Sequence, residues 1–436
     1  MMKRLFETEL LKWKQKGMKK PLMVIGVRQV GKTHTINAFC KEHFKEYIYI
    51  DLEKNADIRN IFEKSTDPDV ILSALELRLE KSIDLEETIF FFDEVQVSEK
   101  FIVSLKYFNE SEKPFKIICA GSLLGVKLNR FNSSFPVGKI NLLRMYPLNF
   151  EEFLVAIGKE FLMKEIKRCY NQIVPMAEDL HNTAMDLYRK YLCVGGMPEA
   201  VLNFISNGLN IMEFDKKILE ILTEMYITDM GKYTISKFEN IKIEKVYKNI
   251  SQQLTRENSQ RFKFSNIESG ASKRKFESAV EWLVASGMVI NCNLVETIMK
   301  PIKAYQNMNT FKLYLSDVGL LSSISGLNYS DIILDEDFMY KGVLAENYVA
   351  CEFLVNDIHL NYWRSGNRSE IDFLLYNDDG IIPVEVKAAE NTKSKSLKTY
   401  VERYNPKYSI RISSKNFGFN NNIKSIPLYS AFCIKE

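Results

Sequence analysis

Gly26, Val27, Arg28, Gln29, Val30, Gly31, Lys32 and Thr33 follow one another with the residue types and spacing that a polyphosphate demands. The two glycines let the backbone curl closely enough for successive amide N–H groups to point at phosphate oxygens. A helix starting near Thr33 would add the positive end of its dipole to that cradle. Lys32 is placed to meet the β- and γ-phosphates, and the Thr33 hydroxyl suits Mg²⁺, a hard cation that binds phosphates with few protein oxygens. The apolar run at residues 21–25 supplies a strand before the loop, and His34 falls in the first helical turn after it. Residues 26–34 are therefore the expected ATP-binding segment. A ligand-free strand-to-helix turn is the bland alternative.

A second apolar run, Thr88, Ile89, Phe90, Phe91 and Phe92, ends in Asp93 and Glu94. Strands of this kind are covered on both faces in a parallel sheet and present ligands at their carboxyl ends. Asp93 is the expected Mg²⁺ partner of Thr33, and Glu94 the group that orients or polarises an attacking water. Residues 46–50, ending at Asp51, and residues 115–119, running into Ala120, Gly121 and Ser122, read as further strands. The Ser122 hydroxyl either senses a γ-phosphate or serves a turn. Residues 139–148 complete the set, bounded by Gly138 and Pro147. Strands alternating with helical stretches predict an α/β layer with its ligands at one sheet edge. Lys32, Glu94 and Ser122 are the catalytic candidates, and Thr33 and Asp93 the metal ligands.

A separate constellation lies near the C-terminus. Residues 371–376 and 381–387 flank Asn377, Asp378, Asp379 and Gly380, which is a hairpin pattern with a tight turn. Pairing symmetrical about that turn sets Asp372 opposite Glu385 and Glu370 opposite Lys387. Period-two alternation then puts all four on one face, with Ile371, Phe373, Val384 and Val386 on the other. Opposed residues have Cβ atoms only ~5 Å apart, so two such carboxylates need a cation or a proton between them. A second divalent metal is the expected occupant, with Lys387 steadying an anion and Glu346, on a helical stretch over residues 343–353, completing the shell. Pro383 asks that the second strand lie near an edge or be irregular. The set resembles the Asp…Glu-x-Lys site of restriction-endonuclease-like nucleases. A charge ladder in which Glu370 pairs with Lys387, its chemistry lost, stands beside that reading.

Taken together, the chain resembles the prokaryotic AAA-type ATPases that carry a conserved C-terminal domain of unknown function with a restriction-endonuclease-like core. The matching stretches are residues 20–33, Phe91 to Gln96 through Asp93 and Glu94, and residues 120–122, 146–153, 191–199, 311–320 and 383–387, spread over nearly the whole chain. The resemblance implies a P-loop ATPase core at 1–150, a helical lid at 151–235, a winged helix at 236–325 and a nuclease-like α/β domain at 326–436. The chain departs from the pattern at Gly138-Lys139, where Gly-Arg is expected and a lysine cannot reproduce the guanidinium fork. It departs again at Cys119, Ala120 and Gly121, where a threonine before the glycine is more typical. Arg130 and Arg144 are left as candidates to reach a neighbour's nucleotide in a homo-oligomer.

With 436 residues, 46% hydrophobic and 26% charged, the chain has the length of several domains and a globular composition. A net charge of +3 is too small to argue for nucleic acid by itself. Seven cysteines without a Cys-x-x-Cys pair and four scattered histidines point to a reducing compartment and away from a histidine metal site. No apolar run is long enough for a bilayer, so a cytoplasmic protein without a membrane partner is expected. Gly195, Gly196, Met197 and Pro198 read as a helix cap and proline stop. In the winged-helix segment, a short helix at 265–269 precedes one opening at Lys273, Arg274 and Lys275, with Phe276, Val280 and Leu283 on one face. Gly287 ends it, and residues 288–295 with 310–315 form the wing. Three basic residues in a first turn oppose the helix dipole unless an anion sits there, which favours a phosphate backbone; a solvated basic turn is the alternative. Two functions fit: a Mg²⁺-dependent ATPase coupled to a nuclease-like, DNA-binding domain, or a nucleotide-gated switch with slow hydrolysis whose inactive C-terminal domain holds DNA or a protein.

Overall fold

Burial explains the first sheet: Leu22–Gly26 (β1), Thr88–Asp93 (β3) and Ile117–Ser122 (β4) are covered along their whole length, as their apolar sequences require. The computed structural model describes residues 2–122, 124–129, 135–231, 236–256, 261–334, 340–366, 369–388 and 395–435. It divides into two compact units, Met1–Tyr146 with Ala285–Gly287, and Pro147–Val284 with Met288–Glu436.

In the first unit, Glu46–Asp51 (β2) and Asn141–Arg144 (β5) complete a parallel sheet in the order β2-β3-β4-β1-β5. The helices are Phe6–Gln15 (α1), Lys32–His43 (α2), Ala56–Lys64 (α3), Pro68–Leu79 (α4), Glu99–Glu110 (α5) and Leu124–Asn129 (α6). The strand order sets β4 between β1 and β3, with Ser122 beside Gly26 and Asp51 beside Asp93. Ligand-bearing residues thus gather at the carboxyl ends of adjacent strands. Two expected strands shift. Residues 115–119 become Ile117–Ser122 because Phe115 closes a turn onto the Lys113 carbonyl. Of residues 139–148 only Asn141–Arg144 are strand; Met145 still donates to Ile25, and Pro147 has no N–H to continue with.

The second unit holds the segments expected as lid, winged helix and nuclease-like domain. Its helices are Phe150–Ala156 (α7), Glu160–Gln172 (α8), Glu178–Val194 (α9), Pro198–Ser206 (α10), Lys217–Met230 (α11), Lys237–Arg256 (α12), Lys273–Ser286 (α13), Val318–Ile324 (α14), Tyr329–Ile333 (α15), Lys341–Val355 (α16) and Lys395–Tyr404 (α17). The hairpin expected as a wing forms: Val289–Val295 (β6) pairs antiparallel with Gln306–Leu315 (β7). However, β6 also pairs in parallel with Asn361–Ser365 (β8), which pairs with Ser369–Ile371 (β9), so one sheet β7-β6-β8-β9 crosses the boundary expected at residue 325. The short helix at 265–269 is a single 3₁₀ turn, Phe264–Asn266. Two of the three basic residues of that turn have carboxylate partners, Lys273 with Glu277 at 3.2 Å and Lys275 with Glu268 at 2.6 Å.

Phe373–Asn377 (β10), Gly380–Val386 (β11), Ser409–Ser413 (β12), Gly418–Asn420 (β13) and Ile423–Pro427 (β14) form a third sheet in the order β10-β11-β12-β14-β13. The hairpin has the expected turn, Asn377 opposite Gly380, but β10 begins only at Phe373. Glu370 lies in β9, in the other sheet, opposite Arg364 rather than Lys387. The chain changes sheets at Asp372, whose carboxylate accepts the Val386 N–H at 2.7 Å. The single face of four residues expected from alternation therefore does not form. Pro383 is tolerated on an interior strand because pairing of β11 with β12 starts only at Val384.

The Gly195-Gly196 break caps α9 before Pro198 opens α10, as expected, and it also admits a close approach. A Cβ on Gly196 would stand 1.9 Å from the Leu148 carbonyl oxygen. Asp317 accepts the Gly196 N–H at 2.6 Å and the Leu320 N–H at 2.9 Å, with burial pushing its carboxyl up to about 6.

A second buried acid, Glu352, accepts the Phe150 N–H at 2.8 Å, and burial raises its pKa to about 8. Folding therefore favours its protonated form. That contribution is complete below the ordinary carboxyl range and is lost as pH rises toward 8. Glu352→Gln mimics the protonated acid. We expect its melting temperature, relative to the native protein, to increase from pH 5 to pH 8.5; a constant difference would show that Glu352 is ionised throughout.

Candidate active site

The loop after β1 is built around backbone conformations that few side chains adopt. Gly26, Gln29 and Gly31 have φ of 158°, 58° and 97°. A Cβ on Gly26 would lie 2.3 Å from the Met145 carbonyl oxygen. Gly31 is the N-cap of α2 and gives it no side-chain cap, which leaves the first helical N–H groups to an anion. Val27 and Val30 are buried, Arg28 is half-buried, and Gln29 and His34 are exposed.

Lys32 is only 8% exposed, and its ammonium donates to the carbonyls of Gly26 and Val27, both at 2.9 Å. Burial lowers its pKa from 10.5 to about 8 despite the opposing charges of Glu94 and Asp93. Thr33 donates its hydroxyl to Asp93 Oδ2 at 2.5 Å, and Tyr49 reaches the same oxygen at 3.5 Å. Burial raises the Asp93 carboxyl, while the bonds from Thr33 and the Glu94 N–H oppose that rise. A hydroxyl and a carboxylate converging in this way fit a Mg²⁺ ion that takes its remaining ligands from phosphate and water.

Around Glu94 the side chains form a chain of contacts. Gln96 donates its amide to Glu94 Oε2, Ser122 donates to the same oxygen at 3.4 Å, and Arg28 Nε donates to Ser122 Oγ at 3.3 Å. The structure thus brings together Lys32, Thr33, Asp93, Glu94, Ser122 and Arg28 as the sequence suggested. It also shows two residues that sequence reasoning missed. Arg4, 5% exposed, donates to the carbonyls of Val30 at 2.9 Å and Tyr146 at 2.7 Å and so supports the loop from behind. Tyr49 sits on the strand beside Asp93, and its only sequence signal was that strand's expected pairing. Arg144 is half-buried with Nη1 3.1 Å from where a Cβ on Gly287 would be, and Arg130 lies outside the described residues.

The C-terminal carboxylates are arranged differently from the expectation. Lys312, on β7 and 0% exposed, places its ammonium 2.8 Å from Glu346 and 2.7 Å from Glu370. Tyr314 donates to the same Glu346, and the ring of Tyr362 lies 5.0 Å from the ammonium. Burial alone would lower the pKa of Lys312, but Glu346, Glu370 and Asp372 outweigh it and hold it well above 10.5. Burial and the charge of Glu346 push the Asp372 carboxyl up. Glu385 is served separately, by Lys387 at 3.5 Å and Arg411 at 3.6 Å. The cation that the carboxylates require is thus a set of protein side chains. Among the described residues no group of three or more His, Cys, Asp or Glu side chains is disposed to hold a metal ion.

Residues 18–154 match the family model of an AAA domain. Residues 185–331 and 341–431 match two domains of unknown function, DUF8612 and DUF4143. No curated protein matches the chain significantly. Among solved structures, a Walker-type ATPase of Pyrococcus abyssi, PABY2304, is 16% identical with a TM-score of 0.46, covering 74% of this chain and 96% of that one. The Aeropyrum pernix ORC2 protein, in ADPNP and ADP complexes, is 12% identical with a TM-score of 0.39, covering 76% and 92%. AMPPCP-bound DnaA from Aquifex aeolicus is 18% identical with a TM-score of 0.30, covering 65% and 88%. The AAA-domain match and the parallel sheet agree on a P-loop ATPase fold for the N-terminal unit. No helix among the described residues is long and apolar enough to cross a membrane.

Two expectations follow. A phosphate beside Lys32 raises its pKa again, so above pH 8 nucleotide binding takes up a proton and affinity falls by up to about tenfold per pH unit. Calorimetry at pH 9 in buffers of different ionisation enthalpy should show that uptake; buffer-independent heats would contradict it. Second, Lys312→Ala leaves Glu346 and Glu370 without their ammonium and should destabilise the second unit by about 3–5 kcal/mol, with partial recovery in Lys312→Met combined with Glu346→Gln. Denaturant unfolding measures both, and a loss under about 1 kcal/mol would mean that the network is solvated.

Proposed function

We propose that the N-terminal unit binds ATP with Mg²⁺ and hydrolyses it, and that the C-terminal nuclease-like domain it drives holds a partner rather than cutting nucleic acid. The hydrolase reading rests above all on the 2.5 Å hydrogen bond from Thr33 to Asp93, which brings the P-loop hydroxyl and the acidic strand end to one point. Mg²⁺ bound there would neutralise charge on the phosphate oxygens. Lys32 meets the same charge with its ammonium, and the first amides of α2 hold the oxygens between them. Glu94 orients water and accepts its proton, and Ser122, between the loop and Glu94, senses the terminal phosphate.

The non-cleaving reading is favoured by Lys312. Its ammonium lies between Glu346 and Glu370, close to where the resemblance to Asp…Glu-x-Lys nucleases would seat a cation. The support for coupling is the path of the chain, which passes from the second unit into the first at Ala285–Gly287 and back again.

Phosphate release by the native protein and by Glu94→Gln tests the first part. Glu94→Gln should bind ATP normally in calorimetry and lose about 10²–10⁴-fold in rate. An undiminished rate would remove Glu94 from the mechanism. For the second part, plasmid and branched DNA should survive incubation with the native protein and Mg²⁺ or Mn²⁺. Cleavage that disappears in Asp372→Ala would reinstate the nuclease.

A further inference from the structure

Gln96 is the one polar residue of the Asp93 to Gln96 stretch that the mechanism above leaves without a task, and it is fully buried. The backbone shows how it gets there. Glu94 has φ 51° and ψ 39°, a left-handed conformation that is unfavourable for a residue with a Cβ, and it starts a single 3₁₀ turn, Val95–Val97. That reversal carries the Gln96 side chain back over the end of β4. Its carboxamide packs against Gly121, where any Cβ would stand 2.3 Å from Gln96 Oε1 and 2.8 Å from the Leu124 side chain. From this seat Nε2 donates to Glu94 Oε2 and approaches Ser122 Oγ at 3.5 Å. The Ser122 hydroxyl donates to the same Glu94 oxygen at 3.4 Å.

We infer that Gln96 is a positioning residue for hydrolysis: it clamps one oxygen of the Glu94 carboxylate, so that the other, Oε1, is the one presented to the attacking water. Three observations converge on this. Both donors fall on Oε2, which fixes the rotation of the carboxylate instead of merely neutralising it. The left-handed backbone at Glu94 restricts the same side chain from the other end. The glycine at position 121 lies within β4 and serves no turn; it leaves room for the carboxamide, the nearest group to an added Cβ, and for the Leu124 side chain. The inference rests on the reading of Glu94 as the water-orienting group.

The test uses the full-length protein and ATP with Mg²⁺. Gln96→Leu keeps the buried volume but removes the donor; it should bind ATP as the native protein does and lose about 10–100-fold in kcat with KM little changed. Gly121→Ala, which displaces the carboxamide without altering its chemistry, should lower kcat in the same direction. Gln96→Glu sets a second carboxylate against Glu94, and the pair then shares a proton near neutrality. The acid limb of its kcat–pH profile should therefore move up by about one unit or more, whereas a purely structural Gln96 would leave the limb in place. Native-like kcat in Gln96→Leu, or an unmoved limb in Gln96→Glu, overturns the positioning role alone. A native protein that binds ATP but releases no phosphate overturns the hydrolase reading, and the present one with it.

Discussion

Among the described residues two lysines, Lys32 and Lys312, are buried almost completely, and the electrostatics of each determines what its surroundings can do. An ammonium removed from water loses hydration that only opposite charge or well-placed acceptors restore. Lys32 has two carbonyl oxygens close by and carboxylates further off, and burial prevails: its pKa falls to about 8. Lys312 has Glu346 and Glu370 within 2.8 Å, and there the carboxylates prevail: its pKa rises. The first lysine is under-compensated and would gain from an anion. The second is matched by the two carboxylates beside it. One physical rule thus separates an ammonium poised for phosphate from one already matched by carboxylates.

Strand order does the corresponding work for the neutral groups. Because β4 is inserted between β1 and β3, the end of β4 faces both the phosphate loop and the acidic strand end. A serine there can be reached by Arg28 from one side and can reach Glu94 from the other. Arg28 comes from the phosphate loop and Glu94 from the turn after β3, and both meet Ser122 because their strands flank β4. Glu94, at φ 51°, sits where the chain must turn from strand to 3₁₀ helix within a residue. Strain held by a buried glutamine and a tight glycine contact is a stable way to keep a carboxylate in one orientation.

How much of this is written in the sequence depends on the range of the interaction. The phosphate loop is local: its glycines, lysine and threonine are consecutive, and the turn they form needs only the strand and helix beside it. The acidic strand end is nearly as local, since an all-apolar run ending in Asp93 and Glu94 has few other uses. The partners that depend on tertiary contact were invisible. Arg4 reaches Val30 across 26 residues, and Lys312 reaches Glu346 across 34, and neither stands in a motif that announces its target. The hairpin near the C-terminus shows the limit differently. Its turn and register, Phe373 opposite Val384, follow from symmetry about Asn377 and Gly380. What alternation cannot reveal is where a strand leaves its sheet, and that departure at Asp372 reassigns every residue before it.

The departure also accounts for the state of the carboxylates. Had β10 continued backwards in register, Asp372 and Glu385 would have faced each other across a ladder, and their repulsion would have required a bound cation. The Asp372 side chain instead accepts the Val386 N–H, while Glu370 moves into the sheet that also carries Lys312. Glu385 is left with Lys387 and Arg411 on its own sheet. Glu346 and Glu370 share one ammonium, Asp372 takes a backbone N–H, and Glu385 keeps its own cations, because the sheet switch distributes the acids over two layers. A metal would have to compete with ammonium and guanidinium groups already held by the fold, at the cost of leaving those groups buried without their carboxylates. The lysine on β7 is thus as much a consequence of the topology as the loss of the four-residue face, and the two cannot be separated by changing any one of the acids.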